Sequence, residues 1–136
     1  MKKVTGIGGI FFRSKDPEKT RAWYEKHLGI IMDDYGSSFE WKTKGKHPGY
    51  TAWSVFTEES DYFPQQQSFL VNYRVADLEG LLVELKHAGV QVIKEIESYE
   101  YGKFAHIVDC DGVQIELWEP DDKTYGAMLN AVTRED

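Results

Sequence analysis

The feature that most limits the fold of this chain is an internal repeat. Residues 9–16 (Gly-Ile-Phe-Phe-Arg-Ser-Lys-Asp) and residues 70–77 (Leu-Val-Asn-Tyr-Arg-Val-Ala-Asp) each combine an alternating apolar run with an Arg three positions before a closing Asp. A spacing of about 60 residues also relates Lys-His-Leu-Gly at 26–29 to Lys-His-Ala-Gly at 86–89. Matches in the same order, with similar patterns between them, indicate a duplicated unit rather than a chance similarity.

Each unit carries the signals of one helix. Asp16 and Asp77 suit the N-cap position, where a side-chain oxygen accepts a hydrogen bond from a free backbone N–H. After Asp77, the leucines at 78, 81, 82 and 85 form one apolar stripe at helical spacing. Gly29 and Gly89 stand where a residue of left-handed conformation commonly ends a helix. The pattern therefore predicts one helix in each unit.

Strand-like runs follow each helix. In the first unit they span 30–34, 39–43 and 50–56, and in the second unit they span 91–96, 103–108 and 113–118. Each unit is therefore predicted to be β-α-β-β-β, and the chain to be an α+β protein.

The repeats also define the organisation of the chain. We expect a single domain over 1–136, built of one repeat at about 4–58 and a second at about 68–120. Residues 57–67, with one proline and three consecutive glutamines, are predicted to be the linker. Residues 121–136 form a C-terminal tail, in which 125–132 are predicted to make a short helix.

Composition and charge narrow the possible functions. The 136 residues include 16 Lys and Arg against 23 Asp and Glu, which gives a net charge of −7. Because a binder of phosphate backbones needs a basic surface, no nucleic-acid partner is expected. We find neither the roughly 18-residue apolar run of a membrane helix nor a signal peptide, so we expect no membrane partner and a cytoplasmic location. A single cysteine, Cys110, excludes an internal disulfide and a Cys-rich zinc site.

Two motifs in these repeats resemble those of a known superfamily. One joins Val-Thr-Gly-Ile at 4–7 and Lys-Asp-Pro-Glu-Lys at 15–19 to Trp-Tyr at 23–24 and Leu-Gly at 28–29. The other is Asp-Cys-Asp-Gly-Val-Gln-Ile-Glu-Leu at 109–117. With the tandem units, they resemble the vicinal oxygen chelate superfamily, which includes glyoxalase I, bleomycin- and fosfomycin-resistance proteins and extradiol dioxygenases.

This resemblance covers about residues 4–120 and implies a particular architecture. The two units form a cupped mixed sheet with the helices on its outside, and the cup encloses a cavity, sometimes across a dimer. Since side chains alternate between the two faces of a strand, the resemblance also implies which of them face the cup. The predicted ligand-binding residues are Phe11, Arg13, Trp53, Asn72, Arg74, Gln114, Glu116 and Trp118.

The metal enzymes of the superfamily carry His, Glu or Gln at four equivalent strand positions. In this chain those positions hold Gly9, Trp53, Leu70 and Glu116, of which Glu116 alone is a plausible ligand. A divalent metal needs three or four donors held together. We therefore expect no metal and no other cofactor, with a divalent metal bound by other donors, such as Glu116 and His106, as the alternative.

Several predicted site residues also have a structural interpretation, and both interpretations stay open. Glu116 pairs with Arg13 or Arg74 inside the cup, or it serves as a ligand-binding or acid–base group. The two arginines lie at exposed strand ends, or they recognise an anionic or carbonyl-bearing ligand. Trp53 and Trp118 fill the core, or they line a pocket for an aromatic or cationic ligand.

The position of His106 depends on the length of the turn at 109–112. A four-residue loop pairs Val108 with Val113, opposes His106 to Ile115 and turns its side chain away from Glu116. A three-residue loop opposes His106 to Glu116 and makes a possible acid–base pair. We expect the four-residue loop.

Two functions follow from these patterns. The first is a protein of the bleomycin-resistance kind that binds a small organic molecule in a metal-free cup, as a homodimer. The alternative is a metal-dependent lyase or isomerase of the glyoxalase type with a non-standard metal site. No Gly-x-Ser-x-Gly, phosphate-loop or His-Glu-x-x-His motif points to another chemistry.

Overall fold

The structure is a computed structural model and describes residues 3–129. In it, the first strands of the two repeats lie side by side. The helices and strands, in chain order, are β1 (Val4–Ser14), α1 (Pro17–Leu28), β2 (Gly36–Lys42), β3 (Pro48–Thr57), β4 (Phe69–Val75), α2 (Leu78–His87), β5 (Val92–Tyr99), β6 (Gly102–Val108), β7 (Gln114–Pro120) and α3 (Asp122–Leu129). One seven-stranded sheet has the order β2-β3-β1-β4-β7-β6-β5. The α+β class and the mixed sheet are confirmed.

The strands of the two predicted repeats pair in a similar way. β1 and β4 run antiparallel at the centre of the sheet, and they bring Gly9 opposite Asn72. On either side, the first strand of each repeat pairs in parallel with the last strand of the same repeat, β1 with β3 and β4 with β7. The remaining strands continue the sheet as antiparallel neighbours. The cup is the concave side of this sheet.

The helix ends follow the sequence signals. Asp16 and Asp77 accept hydrogen bonds at 3.1 Å from the backbone N–H groups of Lys19 and Gly80. Gly29 caps α1 in the left-handed region at φ 70°. Gly89 has φ 86° directly after Ala88, the C-cap residue of α2. Both predicted helices are confirmed.

One predicted strand is wrong. Residues 30–34 form no strand, so the first repeat is β-α-β-β and the second is β-α-β-β-β. The Asp33 carboxylate accepts hydrogen bonds from the backbone N–H groups of Tyr35 and Gly36, at 2.8 and 2.9 Å. This local turn leads the chain directly into β2, and in the second repeat the corresponding place in the sheet belongs to β5.

The convex side of the second repeat holds a closed aliphatic core. Seven buried side chains from α2 and the strands beneath it form this cluster: Val75, Leu78, Leu81, Leu82, Ala105, Ile107 and Leu117. The first repeat packs differently. The structure describes every residue of α1, and none of them is buried. Aromatic rings fill the space instead, with the Tyr24 ring 4.9 Å from that of Trp53 and 6.4 Å from that of Phe12.

The tail returns to the cup. The predicted helix at 125–132 is observed as α3 over Asp122–Leu129, and residues from 130 onward lie outside the described part of the chain. The Tyr125 hydroxyl lies 2.6 Å from Ser38 Oγ, and its ring lies 5.2 Å from that of Trp118 and 5.4 Å from that of Tyr50. Within residues 3–129, no helix is long and apolar enough to cross a membrane.

Candidate functional site

The concave side of the sheet and α3 border a cavity of about 620 Å³. Nine aromatic residues of the described part of the chain border it: Phe11, Tyr35, Phe56, Tyr62, Tyr99, Tyr101, Phe104, Trp118 and Tyr125. Small residues, among them Gly8, Ala52 and Ser54, leave room between the rings, and Asp33, Asn72 and Glu116 contribute polar groups. A cavity of this size and lining has the dimensions of a small-molecule site.

The structure brings together several of the predicted site residues. Phe11, Asn72, Glu116 and Trp118 border the cavity. Gln114 and Arg74 belong to the same faces of β7 and β4 as Glu116 and Asn72, but they are buried against other protein groups. Ligand binding by any of these residues stays a prediction.

Trp53 does not face the cup, so its predicted orientation is wrong. Its ring packs on the convex side, 5.3 Å from the ring of Phe12 and 4.9 Å from that of Tyr24. The residue of β3 that lies beside Gly9 and borders the cavity is Ala52. A displacement of one residue in aligning the two repeats exchanges the faces of a whole strand, and this accounts for the difference.

Glu116 is the centre of the polar cluster. It is 1% exposed, and three groups form hydrogen bonds with its carboxylate. Asn72 Nδ2 donates to Oε1 at 2.6 Å, His106 Nε2 lies 2.8 Å from Oε2, and the Tyr62 hydroxyl donates to Oε2. The predicted structural partners, Arg13 and Arg74, are bound elsewhere. A buried carboxylate with several donors is satisfied without a cation.

His106 opposes Glu116 across β6 and β7, so the expected pairing with Ile115 is wrong. Asp109 donates its backbone N–H to Val113 at 2.9 Å, which leaves a three-residue loop. The other ring nitrogen of His106, Nδ1, lies 2.6 Å from Gln114 Nε2. Because an amide nitrogen only donates, Gln114 gives a hydrogen bond to Nδ1 and leaves Nε2 to face Glu116.

Tyr62 is the part of the site that the sequence did not reveal. It belongs to the segment between β3 and β4, which was predicted only as a linker. Burial, followed by the negative charge of Glu116, raises the pKa of the Tyr62 phenol well above its ordinary value. The phenol therefore keeps its proton and donates to the carboxylate. Adjacent aromatic residues at 62 and 63 within a polar linker were the one signal in the sequence.

The two predicted arginines hold parts of the chain in place. Arg74 donates to both carboxylate oxygens of Asp122, at 2.8 and 2.6 Å, and so attaches the start of α3 to β4. Its guanidinium lies 4.9 Å from the ring of Trp41 and 5.6 Å from that of Trp118. Arg13 donates to backbone carbonyls of the linker. Neither guanidinium borders the cavity.

Comparison with protein families agrees with this architecture. The model of the glyoxalase/bleomycin resistance protein/dioxygenase superfamily matches residues 6–117, which include both repeats and Glu116. The chain belongs to this superfamily. No protein of curated function matches it.

Solved structures show the same superfamily fold. Methylmalonyl-CoA epimerase from Mycobacterium tuberculosis is 23% identical, with 93% of this chain and 95% of that chain covered at a TM-score of 0.65. A Streptomyces coelicolor methylmalonyl-CoA epimerase in complex with 2-nitronate-propionyl-CoA is 16% identical, with 87% and 99% covered at 0.68. A Legionella pneumophila structure described as an NAD-dependent benzaldehyde dehydrogenase is 13% identical, with 83% and 98% covered at 0.54. At these identities, the likeness is one of fold.

The donors present do not fit the divalent metal of the superfamily's metal enzymes. In the cup, His106 and Glu116 bind each other directly, at 2.8 Å, rather than facing a shared open point. Gly9 and Ala52 supply no side-chain donor from the first repeat, and Leu70 is an apolar buried residue. Across residues 3–129, no three side chains among His, Cys, Asp and Glu are grouped so that they could hold a metal ion.

Proposed function

We propose that this chain binds a small, flat organic molecule in the cup, without a metal. The observation that carries the proposal is the cavity of about 620 Å³, which is bordered by nine aromatic residues and by a buried carboxylate with three hydrogen-bonding neighbours. Aromatic walls favour flat ligands, because rings stack on rings or meet them edge to face.

The charge of the lining limits the class of ligand. Among the residues that the structure describes, no Lys or Arg borders the cavity, whereas Asp33 and Glu116 do. An anionic ligand would meet the negative charge of these two carboxylates, and this is unfavourable. We therefore propose a neutral or cationic ligand. The proposal includes a homodimer in a cytoplasmic location, to be tested by light scattering and by cell fractionation.

The proposal is tested with a substitution whose side chain fills the cavity. Ala52→Trp places an indole in the cavity, and Ala22→Trp makes the same exchange at an exposed position on α1. We use 2-methoxynaphthalene, a flat neutral probe, in isothermal titration calorimetry. The proposal predicts binding to the wild type and to Ala22→Trp, and at least tenfold weaker binding to Ala52→Trp. Equal binding to both variants, or no binding to the wild type, overturns it.

A second candidate is a proton-transfer enzyme, and the cluster around Glu116 favours it. A carboxylate beside a tyrosine and a histidine is a group that accepts and returns protons. Methylmalonyl-CoA is the substrate named for the structures of similar fold, but the phosphates of a CoA ester are anionic, and the acidic lining does not suit them. The metal-dependent form of this candidate lacks ligands, as described above.

Solvent exchange separates the two candidates. Methylmalonyl-CoA is incubated with the protein in D₂O, and its α-proton is followed by ¹H NMR. The binding function predicts exchange at the rate of the protein-free control. Exchange that depends on protein and is abolished in Glu116→Gln supports the enzyme instead.

A further inference from the structure

The segment between β3 and β4 borders the cup and is held to it at two places. In the structure the linker, predicted at 57–67, covers residues 58–68, because Thr57 is the last residue of β3. Arg13 donates to the backbone carbonyls of Ser60, Phe63, Pro64 and Gln67, with separations of 3.0 Å for Ser60, 3.3 Å for Pro64 and 3.2 Å for Gln67. Its guanidinium also lies 4.0 Å from the ring centre of Phe63, which is buried. One side chain of β1 thus fixes the path of the linker.

The end of the linker is fixed to the second repeat. The Gln67 side chain donates to the backbone carbonyl of Gln114 at 2.7 Å and accepts from its N–H at 2.9 Å. A side-chain amide that pairs with one residue in both directions acts like an added rung of the sheet. Within the segment held by these contacts, the Tyr62 side chain reaches the polar cluster and donates to Glu116.

The Tyr62 ring is held on several sides. It lies 5.0 Å from the ring of His106 at 87°, 5.3 Å from the ring of Phe56, and 4.4 Å from Lys94 Nζ, which faces the ring. The hydroxyl therefore has a defined position, with its hydrogen on Glu116 Oε2. A phenol oxygen has lone pairs besides this hydrogen, and these accept hydrogen bonds.

Glu116 and Tyr62 both border the cavity, but Glu116 offers little surface to a molecule bound there. It is 1% exposed, whereas Tyr62 is partly exposed. A phenol that donates to a carboxylate becomes a better acceptor, because chains of hydrogen bonds polarise one another. Through this hydrogen bond, Glu116 makes the Tyr62 oxygen a stronger acceptor.

Resting on the proposed function, we infer that the Tyr62 oxygen is the contact that selects the ligand. The ligand bears a hydroxyl or N–H donor on an aromatic ring. Arg13 is the positioning residue for this contact. The ligand's donor binds Tyr62, and Tyr62 binds Glu116. The class comprises phenols and aromatic amines, and aromatic carboxylates are excluded because they bring an acceptor and a negative charge to this point.

The test compares probes that differ in one hydrogen. 2-Naphthol has the donor, and 2-methoxynaphthalene has the same rings and oxygen without it. We expect wild-type protein to bind 2-naphthol about tenfold more tightly in calorimetry, the preference that one hydrogen bond provides. Tyr62→Phe keeps the ring and removes the oxygen, so its preference falls to less than twofold while its affinity for 2-methoxynaphthalene stays within twofold of the wild type. 2-Naphthoate, the anionic probe, binds more weakly than both to the wild type.

Arg13 is tested by the same ratio of affinities. Arg13→Gln releases the linker, and we expect the preference for 2-naphthol to fall to about twofold, with little change for 2-methoxynaphthalene. Arg13→Lys keeps the charge without the forked donor set and serves as the second variant should the glutamine variant not fold. Its preference for 2-naphthol is expected to lie between those of the wild type and Arg13→Gln. A merely structural arginine would weaken both probes alike.

The outcomes separate this inference from the proposed function. If neither naphthalene binds the wild type, the proposed function is overturned. If both bind and Tyr62→Phe retains the tenfold preference, the cup is a binding site but Tyr62 does not select the ligand. If Tyr62→Phe loses the preference and both Arg13 variants retain it, the role of Arg13 is wrong.

Discussion

The two repeats share a plan but not a core. In the second repeat, α2 buries aliphatic side chains against the sheet, and Leu82 is 3% exposed. In the first repeat, α1 buries none of its residues, and Trp23 and Leu28 are 53% and 60% exposed. The second repeat also supplies Asn72, His106 and Glu116, the polar floor of the cup. The repeat with the closed core thus carries the groups whose positions must be exact, while the first repeat supplies part of the cavity wall.

The difference between the two cores is tested most directly by shortening one leucine in each repeat. Leu82→Ala leaves a cavity in the aliphatic core and is expected to lower the free energy of unfolding by about 2–5 kcal/mol. Leu28→Ala, the matched change at the exposed end of α1, is expected to cost less than about 0.5 kcal/mol. Urea denaturation measures both. Equal losses would show that the first repeat has a core of its own.

The polar floor can be tested without changing its volume. Glu116→Gln replaces an oxygen that accepts from His106 and Tyr62 with an amide group that donates, so at least one buried donor loses its partner. We expect a loss of about 1–3 kcal/mol in the free energy of unfolding. Glu59→Gln, at an exposed position in the linker, is the control and should leave stability unchanged. A neutral effect of Glu116→Gln would show that the cluster is hydrated rather than buried.

Tyr62 connects the linker to that floor, and pH reveals the connection. Tyr62→Phe is expected to cost about 1 kcal/mol at pH 7, the net contribution of one hydrogen bond. Burial and Glu116 raise the pKa of Tyr62, so above pH 10 the unfolded phenol loses its proton while the folded one keeps it. The contribution of Tyr62 to stability is therefore complete below pH 10 and declines above it, by about 1.4 kcal/mol per pH unit.

The measurement is the difference in unfolding free energy between wild type and Tyr62→Phe, followed from pH 8 to pH 11. Burial also raises the pKa of Tyr50 and of Tyr101, but these residues are present in both proteins and cancel in the difference. A difference that stays constant above pH 10 would show that the Tyr62 phenol is open to solvent.

The smallest expected effect is that of a metal. A metal site of the superfamily kind takes donors from both repeats, and here the first repeat offers Gly9 and Ala52 at the relevant places. We expect protein purified without chelators to contain less than about a tenth of an equivalent of Zn, Ni, Fe or Mn, and its melting temperature to be unchanged by adding them or by EDTA, since a bound metal stabilises the fold. A stoichiometric metal would favour the metal-dependent enzyme over the metal-free binding function.

Local signals predicted much of the fold, and long-range pairing decided the rest. The capping aspartates, the leucine stripe of α2 and the closing strand that carries Glu116 are each encoded within a few residues. The orientation of Trp53 and the pairing of His106 both depend on one residue of register, which alternation alone does not determine. The strand predicted at 30–34 failed because the Asp33 turn competes with it.

Tyr62 was missed for a different reason. Its role comes from tertiary contacts between the linker, Arg13 and Glu116, residues that are distant in sequence and share no periodic pattern. Arg13 was placed correctly on an opening strand, but its partners are backbone carbonyls, which no residue type reveals.

The four tryptophans make a direct test of where a ligand binds. Trp118 lies at the cup, Trp53 and Trp23 lie on the convex side of the first repeat, and Trp41 packs on Arg74. The measurement is the set of indole N–H signals in ¹⁵N-labelled protein during titration with 2-naphthol. We expect a saturable shift of the Trp118 signal with little change at Trp23 and Trp53. A shift led by Trp23 would place binding on the exposed aromatic face of the first repeat and contradict the account.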